Sequence, residues 1–588
     1  MRLVVQPITS ASRNLSFKLH STSINRSLLK RHFAMPATVQ QKEFKLKAAN
    51  FPQKNGDKVE AEIEGLIGSK GEPAKVLLLK ANGEMRALGP RCTHYGAPLV
   101  KGVVSDDGRI TCPWHGACFD TTDGHVENAP ALDHLNAFHI EQRDGDWYIK
   151  GDEDSLKDAK RAPNITCSPR SNERIIVVGG GSGCLGAVEG LREKGYTGQI
   201  TVLSKEPYLP IDRTKLSKAL IPDKEKIMWR DADFFKDAGV DVKTGTEVES
   251  VDFAGHKLKT KDGQEYTYDK VIFATGGTPK KLPMDGFKKL NNIFVLRDLN
   301  NVQQILKAAG DNGKKIAVIG SSFIGMEVGK CLAGKNNNVT IIGMESTPLE
   351  RVMGKEVGAI FQRQLEKAGV KFYMDAEVED AKPSSSDSSA VGSVALKDGT
   401  NIECDFVILG VGVAPATEYF KSSGIKLEED GSVKVDDHWR IEGVQDAYAV
   451  GDIATYPNGG NMVRIEHWNV AQNAGRQAGR HIANKRKPIP FTPIFWSALG
   501  AQLRYCGNSS GKDKHDDVTI LGEPGKDKWV AYYTQGERVV AVASQGFDPV
   551  VVQCAELMRR SKMLTKSEIK SGKTPLDVYP PAEIRVEA

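Results

Sequence analysis

A chain of 588 residues has room for three or four domains, and its 40% hydrophobic and 26% charged content is that of a globular protein. Its net charge of +5, from 80 Lys and Arg against 75 Asp and Glu, is too small and too evenly spread to point to a nucleic-acid partner. No apolar run reaches membrane-spanning length, and nine scattered cysteines do not make a disulfide scaffold.

The first acidic residue is Glu43. Arg2, Arg13, Lys18, Arg26, Lys30, Arg31 and Lys42 precede it among many Ser and Thr. Such composition predicts a cleaved mitochondrial presequence over residues 1–42. Initiation at Met35, with a cytoplasmic location, is the alternative.

From Glu43 to Asp154 the chain alternates apolar and polar residues in short runs: EFKLKAA, KVEAEIEG, AKVLLLKANGEMRAL and HLNAFHIEQRDGDWYIK. These predict an all-β module with hairpin turns at Gly83 and Gly145. Inside it lies CTHYGAPLVKGVVSDDGRITCPWHGACFD, residues 92–120. A C-x-H pair, Cys92 and His94, is followed by a C-x-x-H pair, Cys112 and His115. Two thiolates and two imidazoles suit a structural zinc or an iron–sulfur cluster. Zinc sites usually pair two Cys at short spacing, whereas here each tight turn offers one Cys and one His. Facing turns of that kind can give both Cys to one iron and both His to the other, and CPWHG resembles a Rieske 2Fe–2S site. Residues 155–172 are polar, contain Pro163 and Pro169, and read as a linker.

Arg174–Leu203 reads as strand, glycine turn, helix and strand. Glycines there let the backbone approach a pyrophosphate resting at the helix N-terminus. Gly179-x-Gly181 directly follows the strand, which puts Cys184 at the sixth position. Gly181-x-Gly183-x-x-Gly186 also has the spacing but starts two residues late. The first register is preferred because the strand should end at Val178. Lys315–Ile342 repeats the unit, with Gly320, Ser322 and Gly325. Two such units predict two dinucleotide sites. Glu206, after the second strand of the first unit, is a candidate acid for a ribose diol. Segments 268–283 (with Gly276), 404–417 and 447–454 (with Gly451 and Asp452) read as buried strands ending in glycine turns. Residues 382–393, KPSSSDSSAVGS, read as an inserted flexible loop. The last hundred residues mix strands with a terminal helix, QCAELMRRSK, and Phe495 and Trp496 read as core or dimer contacts.

PYLPIDRTKLSK, ATGGTPKKLP, IGMEV, AVGDIA and RIEHWNVAQNAGR resemble the FAD-dependent pyridine-nucleotide oxidoreductases, nearest the ferredoxin-reductase and apoptosis-inducing-factor branch. A Rieske module joined to such a reductase resembles the apoptosis-inducing factor 3 group. The resemblance implies an all-β Rieske domain over 43–154, then an FAD domain of tandem-Rossmann type over 173–298 and 424–487. It implies an NAD(P)H domain over 299–423 and an α+β C-terminal interface domain over 488–588, with a possible homodimer. The first glycine loop would hold FAD and the second NADH or NADPH. Asp452 would hold the FAD ribityl or pyrophosphate region, and Arg213 and Lys218 would lie near the flavin ring. Glu466 and Trp468 would line its edge, and Glu327 would face the nicotinamide. The family usually has Pro where this chain has Thr214. Gly343 takes the place of the usual ribose-reading acid; Glu345 stands two residues on, with no Arg or Lys immediately there, which leans to NADH. Residues 204–225 contain no Cys, so no redox dithiol follows the first glycine loop.

These parts imply an NAD(P)H oxidoreductase passing electrons through FAD to the cluster and on to an unidentified acceptor. The alternatives are a redox-sensing, apoptosis-inducing-factor-like signalling protein, or the electron-input component of a monooxygenase or nitrite reductase system. Ala97 and Trp114 stand where respiratory Rieske proteins carry bridging cysteines, and Ala117 and Phe119 where they carry hydroxyls, which implies a low-potential cluster.

Overall fold

In the computed structural model, residues 41–158, 160–484, 491–509 and 514–582 are described. The expected presequence lies outside them. The N-terminal module is a closed barrel whose neighbouring strands are, in order, Lys42–Lys47, Asp146–Gly151, Ala137–Arg143, Glu84–Leu88, Pro73–Ala81 and Lys58–Ile67. Asn82-Gly83 and Asp144-Gly145 turn two of its hairpins with φ of 53°, 75°, 52° and 85°. Positive φ at both central residues is the hairpin geometry that matches strand twist. Against the barrel lies a four-stranded antiparallel sheet of Val103–Ser105, Arg109–Thr111, Cys118–Asp120 and Val126–Asn128. The segment read as a linker is tied down. Its helix Glu153–Lys157 is capped by Asp152, and Lys160–Arg161 pairs with His134–Leu135.

Two parallel five-stranded sheets follow. The first runs Val240–Lys243, Gln199–Leu203, Arg174–Val178, Lys270–Phe273, Ala447–Ala449. The second runs Ile293–Val295, Phe406–Leu409, Lys315–Ile319, Asn338–Ile342, Lys371–Tyr373. Their inner apolar strands are buried on both faces, as parallel sheets require. In each, the central strand, Arg174–Val178 or Lys315–Ile319, leads through a glycine turn into a helix, Ser182–Glu193 or Phe323–Ala333. Gly179 (φ 113°) and Gly320 (φ 106°) make equivalent turns; a Cβ at either would stand 2.3 Å from a carbonyl oxygen of the neighbouring strand's loop. The helices start at Ser182 and Phe323, so Gly181 and Ser322 are the caps.

The helix Ser182–Glu193 packs on the long helix Trp468–Asn484 at backbone contact. Added Cβ atoms at Gly186, Gly190, Gly475 and Gly479 would meet carbonyl oxygens of the facing helix at 2.1, 2.4, 2.0 and 2.4 Å. A buried ion network crosses the same seam: Arg476 reaches Glu189 at 2.5 Å and Glu193 at 2.7 Å. Buried charges need such partners.

The C-terminal unit is a five-stranded antiparallel sheet, Ile494–Ser497, Leu503–Gly507, Arg538–Gln545, Lys528–Gln535 and Asp517–Glu523, covered by the helix Val550–Arg559. Of the segment 382–393, expected as a loop, residues 384–390 form the loop of the hairpin of Val378–Pro383 and Val391–Leu396, and the ends belong to its strands. Its serines and Asp387 close the turn, and Asn291 N–H donates to Ser389 O at 2.8 Å.

The helix seam generates a prediction. Gly475→Ala is expected to lower stability by about 1–3 kcal/mol through overpacking. Gly525→Ala, where a Cβ meets nothing within 4 Å, is expected to have no effect. Urea unfolding followed by flavin release checks this; equal midpoints for both variants would contradict the close seam.

Candidate functional site

The two turns that carry Cys92/His94 and Cys112/His115 are built alike. Cys92 N–H donates to Ala97 O and Gly96 N–H to Cys92 O, each at 2.9 Å. Cys112 N–H donates to Ala117 O at 2.8 Å and Gly116 N–H to Cys112 O at 3.2 Å. Gly96 and Gly116 hold φ of 75° and 74°, which is why both turns read C-x-x-x-G-A. Aligned on those glycines, Tyr95 occupies the place of His115.

His94 Nδ1 and His115 Nδ1 stand 3.0 Å apart, and the Cys92 and Cys112 sulfurs lie within hydrogen-bonding reach of one another. Among the described residues, only Asp436, Asp437 and His438 bring three potential ligand atoms within 4.8 Å of each other. The four cluster residues therefore converge as two pairs rather than on one point. That disfavours a single zinc and fits a binuclear cluster with sulfur on one iron and nitrogen on the other. Burial, then the Lys215 charge, pushes His94 down to about 3, and burial pushes His115 well below its ordinary value. Both imidazoles are thus neutral and free to ligate. Backbone N–H groups of His94 and Tyr95 point at the Cys92 sulfur, and those of Trp114 and His115 at the Cys112 sulfur.

A cavity of about 620 Å³ opens at the end of the first parallel sheet. Gly179, Gly181, Gly183, Glu206, Arg213, Gly276, Gly451, Asp452 and Trp468 all line it. A Cβ at Gly181 would meet nothing within 4 Å, so the helix cap faces open space where a pyrophosphate fits. Glu206 pairs with Arg213 at 2.6 Å, and Asp452 with Arg297 at 3.3 Å. The buried Trp468 indole N–H has no partner among the described residues. These features fit a bound FAD.

The remaining expected residues are not among those lining this cavity. Lys218 pairs with the buried Glu327 at 2.9 Å; Ser217 and Ser497 hydroxyls donate to the same carboxylate at 2.5 and 2.6 Å. Glu466 pairs with Arg464 at 2.5 Å. Gly320 and Gly325 form the second glycine turn, where a Cβ at Gly325 would strike Gly320 O at 2.1 Å. Glu345 accepts from Ser321 Oγ at 3.3 Å and, contrary to the expectation of no nearby cation, pairs with Arg351 at 2.6 Å. Five residues of chain lie between them, which hid the pair from a reading of neighbours.

The cavity and the cluster turns meet across tryptophans. Trp468 lines the cavity, and its ring lies 5.9 Å from that of His94 and 5.2 Å from that of Trp496. Trp496, expected to be core or a dimer contact, is buried, and it covers His115 at 4.1 Å. His467, 5.4 Å from Trp496, is pushed down to about 3 by burial and by Lys218. The aromatic run FW at 495–496 was the only sequence sign of this junction.

Known proteins divide along the same line. Residues 54–139 match the Rieske [2Fe-2S] domain and residues 173–475 match the pyridine nucleotide-disulphide oxidoreductase family. The chain belongs to the pyridine nucleotide-disulphide oxidoreductase family. It is 35% identical over 506 residues to apoptosis-inducing factor 3 of Homo sapiens, covering 84% of this chain and 82% of that one. Rubredoxin-NAD(+) reductase of Pseudomonas putida is 30% identical over 373 residues, 62% of this chain and 94% of the relative. The reductase in the covalent putidaredoxin reductase–putidaredoxin complex superposes with a TM-score of 0.63 at 26% identity, covering 66% of this chain and 94% of its own. As a family member with a Rieske domain, the chain is an FAD-dependent NAD(P)H oxidoreductase carrying a 2Fe–2S cluster.

Replacing one donor separates the two halves. His115→Ala is expected to lose iron and acid-labile sulfide while FAD and NADH-driven dye reduction remain. Unchanged iron content would remove His115 from the donor set.

Proposed function

We propose that this chain is a self-contained electron-transfer unit in which a flavin site delivers to a cluster held on the same polypeptide. The carrying observation is Trp468, which lines the FAD cavity and lies 5.9 Å from the His94 ring. When bound, FAD converts a two-electron hydride into single electrons that a 2Fe–2S cluster takes one at a time.

The residues supply binding and orientation. Gly179, Gly181 and Gly183 open the helix Ser182–Glu193 to the FAD pyrophosphate. Glu206, held by Arg213, accepts from the adenosine ribose. Asp452, held by Arg297, takes the ribityl region, with Gly276 and Gly451 allowing close approach. Gly320 and Gly325 receive the NAD(P)H pyrophosphate. Glu345 accepts from the ribose 2′-hydroxyl and repels a 2′-phosphate, so NADH is preferred; Arg351 must swing away from Glu345 for NADPH to gain a cation. The Lys218–Glu327 pair, fixed by Ser217 and Ser497, orients the nicotinamide against the flavin, with Glu466 at the edge. Trp468 and Trp496 exclude water between flavin and cluster. Cys92, Cys112, His94 and His115 hold the cluster.

The Rieske unit spans 43–154, the FAD domain 173–298 with 424–487, the NAD(P)H domain 299–423 and the C-terminal domain 488–588. Residues 1–42 direct the chain to mitochondria, and a homodimer through the C-terminal domain is compatible with this layout. Relatives are named for reducing rubredoxin or for a complex with putidaredoxin; here the redox module is joined by the chain itself.

The acceptor beyond the cluster is a low-potential one. Hydrogen bonds to cluster sulfurs favour the reduced, more negative state. Backbone N–H donors are present, but Ala117 and Phe119, both fully buried, bring no hydroxyl. A redox titration followed by EPR is expected to give a midpoint on the order of −150 mV rather than +300 mV. A midpoint above zero would contradict a low-potential output.

A further inference from the structure

Thr214 breaks the family pattern, and the flavin and nicotinamide sites give it no task. Its backbone N–H and its hydroxyl both donate to Asp212 Oδ1, at 3.0 and 2.6 Å. The other oxygen, Asp212 Oδ2, accepts from the hydroxyl of Tyr95 in the first cluster turn. Asp212 and Thr214 are each 8% exposed, and a carboxylate so covered depends on its donors. The Tyr95 ring stacks on the His94 ring at 3.8 Å with planes 17° apart, and the Lys215 ammonium sits 4.4 Å from its centroid. Proline at 214 would remove both donors while suiting the first turn of the helix Thr214–Lys218.

We propose that Thr214, Asp212 and Tyr95 form a latch that fixes the cluster-bearing turn against the reductase. Thr214 orients the carboxylate, the carboxylate takes the phenol, and the phenol ring backs the His94 imidazole. A module joined only by a chain would sample many orientations, whereas transfer needs one. These are positioning residues; none touches substrate. The latch rests on the reading above, that flavin and cluster exchange electrons within one chain. Two arginines of the reductase also hold the module, Arg230 on Asp133 at 2.7 Å and Arg480 on Val126 O at 2.8 Å, and Thr93 Oγ1 of the first cluster turn donates to Asp133 O at 2.6 Å. The latch therefore acts on the Tyr95 and His94 side of that turn rather than on the attachment as a whole.

The test uses full-length holoprotein and the variants Thr214→Pro, Thr214→Ser and Tyr95→Phe. Amide hydrogen exchange over residues 92–99 is measured by mass spectrometry in the oxidised protein without NADH. The flavin-to-cluster step is measured separately by anaerobic stopped flow. Thr214→Pro and Tyr95→Phe are expected to speed exchange about tenfold, the scale of a lost hydrogen bond to a charged group, and to slow the transfer step. In Thr214→Pro, iron, flavin and NADH-to-dye turnover stay at the native level. Thr214→Ser keeps both donors and is expected to match the native protein in both readouts. Native exchange in Thr214→Pro, or a Thr214→Ser variant as impaired as Thr214→Pro, would overturn the latch. A native protein whose cluster never draws electrons from its flavin would overturn the underlying reading instead, with the exchange comparison still deciding the latch.

Discussion

His115 lies under Trp496 at 4.1 Å, at the point where the barrel module, the helix Trp468–Asn484 and the C-terminal sheet meet. The rest of the molecule is arranged to keep that contact closed. Gly116 sits so near Ile494 that a Cβ would reach its side chain at 2.5 Å, so the second cluster turn and the strand Ile494–Ser497 fit at van der Waals distance. Trp468 comes from the start of the long helix Trp468–Asn484, and its position depends on the glycine seam with Ser182–Glu193. One backbone-level helix contact thus places the flavin cavity, the tryptophan beside it and the cluster turn.

Charge does what apolar area alone would not. The module is held by Arg230 on Asp133, Arg480 on the carbonyls of Val126 and Glu127, Arg560 on Asp107 at 2.9 Å, and Asn473 accepting from Ala129 N–H at 2.8 Å. These contacts come from three different elements of the reductase and engage the cluster-side sheet and its flanks. Buried ion pairs add little net stability against an apolar alternative, but breaking one leaves an unpaired charge. Their effect is therefore specificity of placement. Arg476 and Arg480, one helical turn apart, divide the work: the first ties the helix seam through Glu189 and Glu193, and the second reaches out to the module.

The chemistry was legible in the sequence where it demands fixed residue types at fixed spacing. The paired turns of Cys92/His94 and Cys112/His115, which the structure brings together, and the turn glycines Gly179 and Gly320 are of that kind, because tight backbone turns tolerate few substitutes. Hairpin glycines Gly83 and Gly145 were legible for the same reason. What the sequence could not carry was partnership across long separations. Trp496 reads as an ordinary core aromatic until His115, nearly four hundred residues earlier, is seen beneath it. Arg351 is absent from a scan of the neighbours of Glu345 because a turn and the start of a helix bring it back. The serines of 382–393 suggested a loose loop; 384–390 do form one, but it closes a hairpin and is ordered by local side-chain hydrogen bonds. Thr214 was legible only as a departure, and its meaning required Tyr95 from another domain.

The central claim is that flavin and cluster exchange electrons inside one polypeptide. Anaerobic stopped flow of NADH against the holoprotein, at two protein concentrations tenfold apart, tests it most directly. The account predicts that cluster bleaching follows flavin reduction with a first-order rate that does not change with protein concentration. A rate that rises in proportion to protein concentration, or a cluster that stays oxidised while the flavin is reduced, would contradict it.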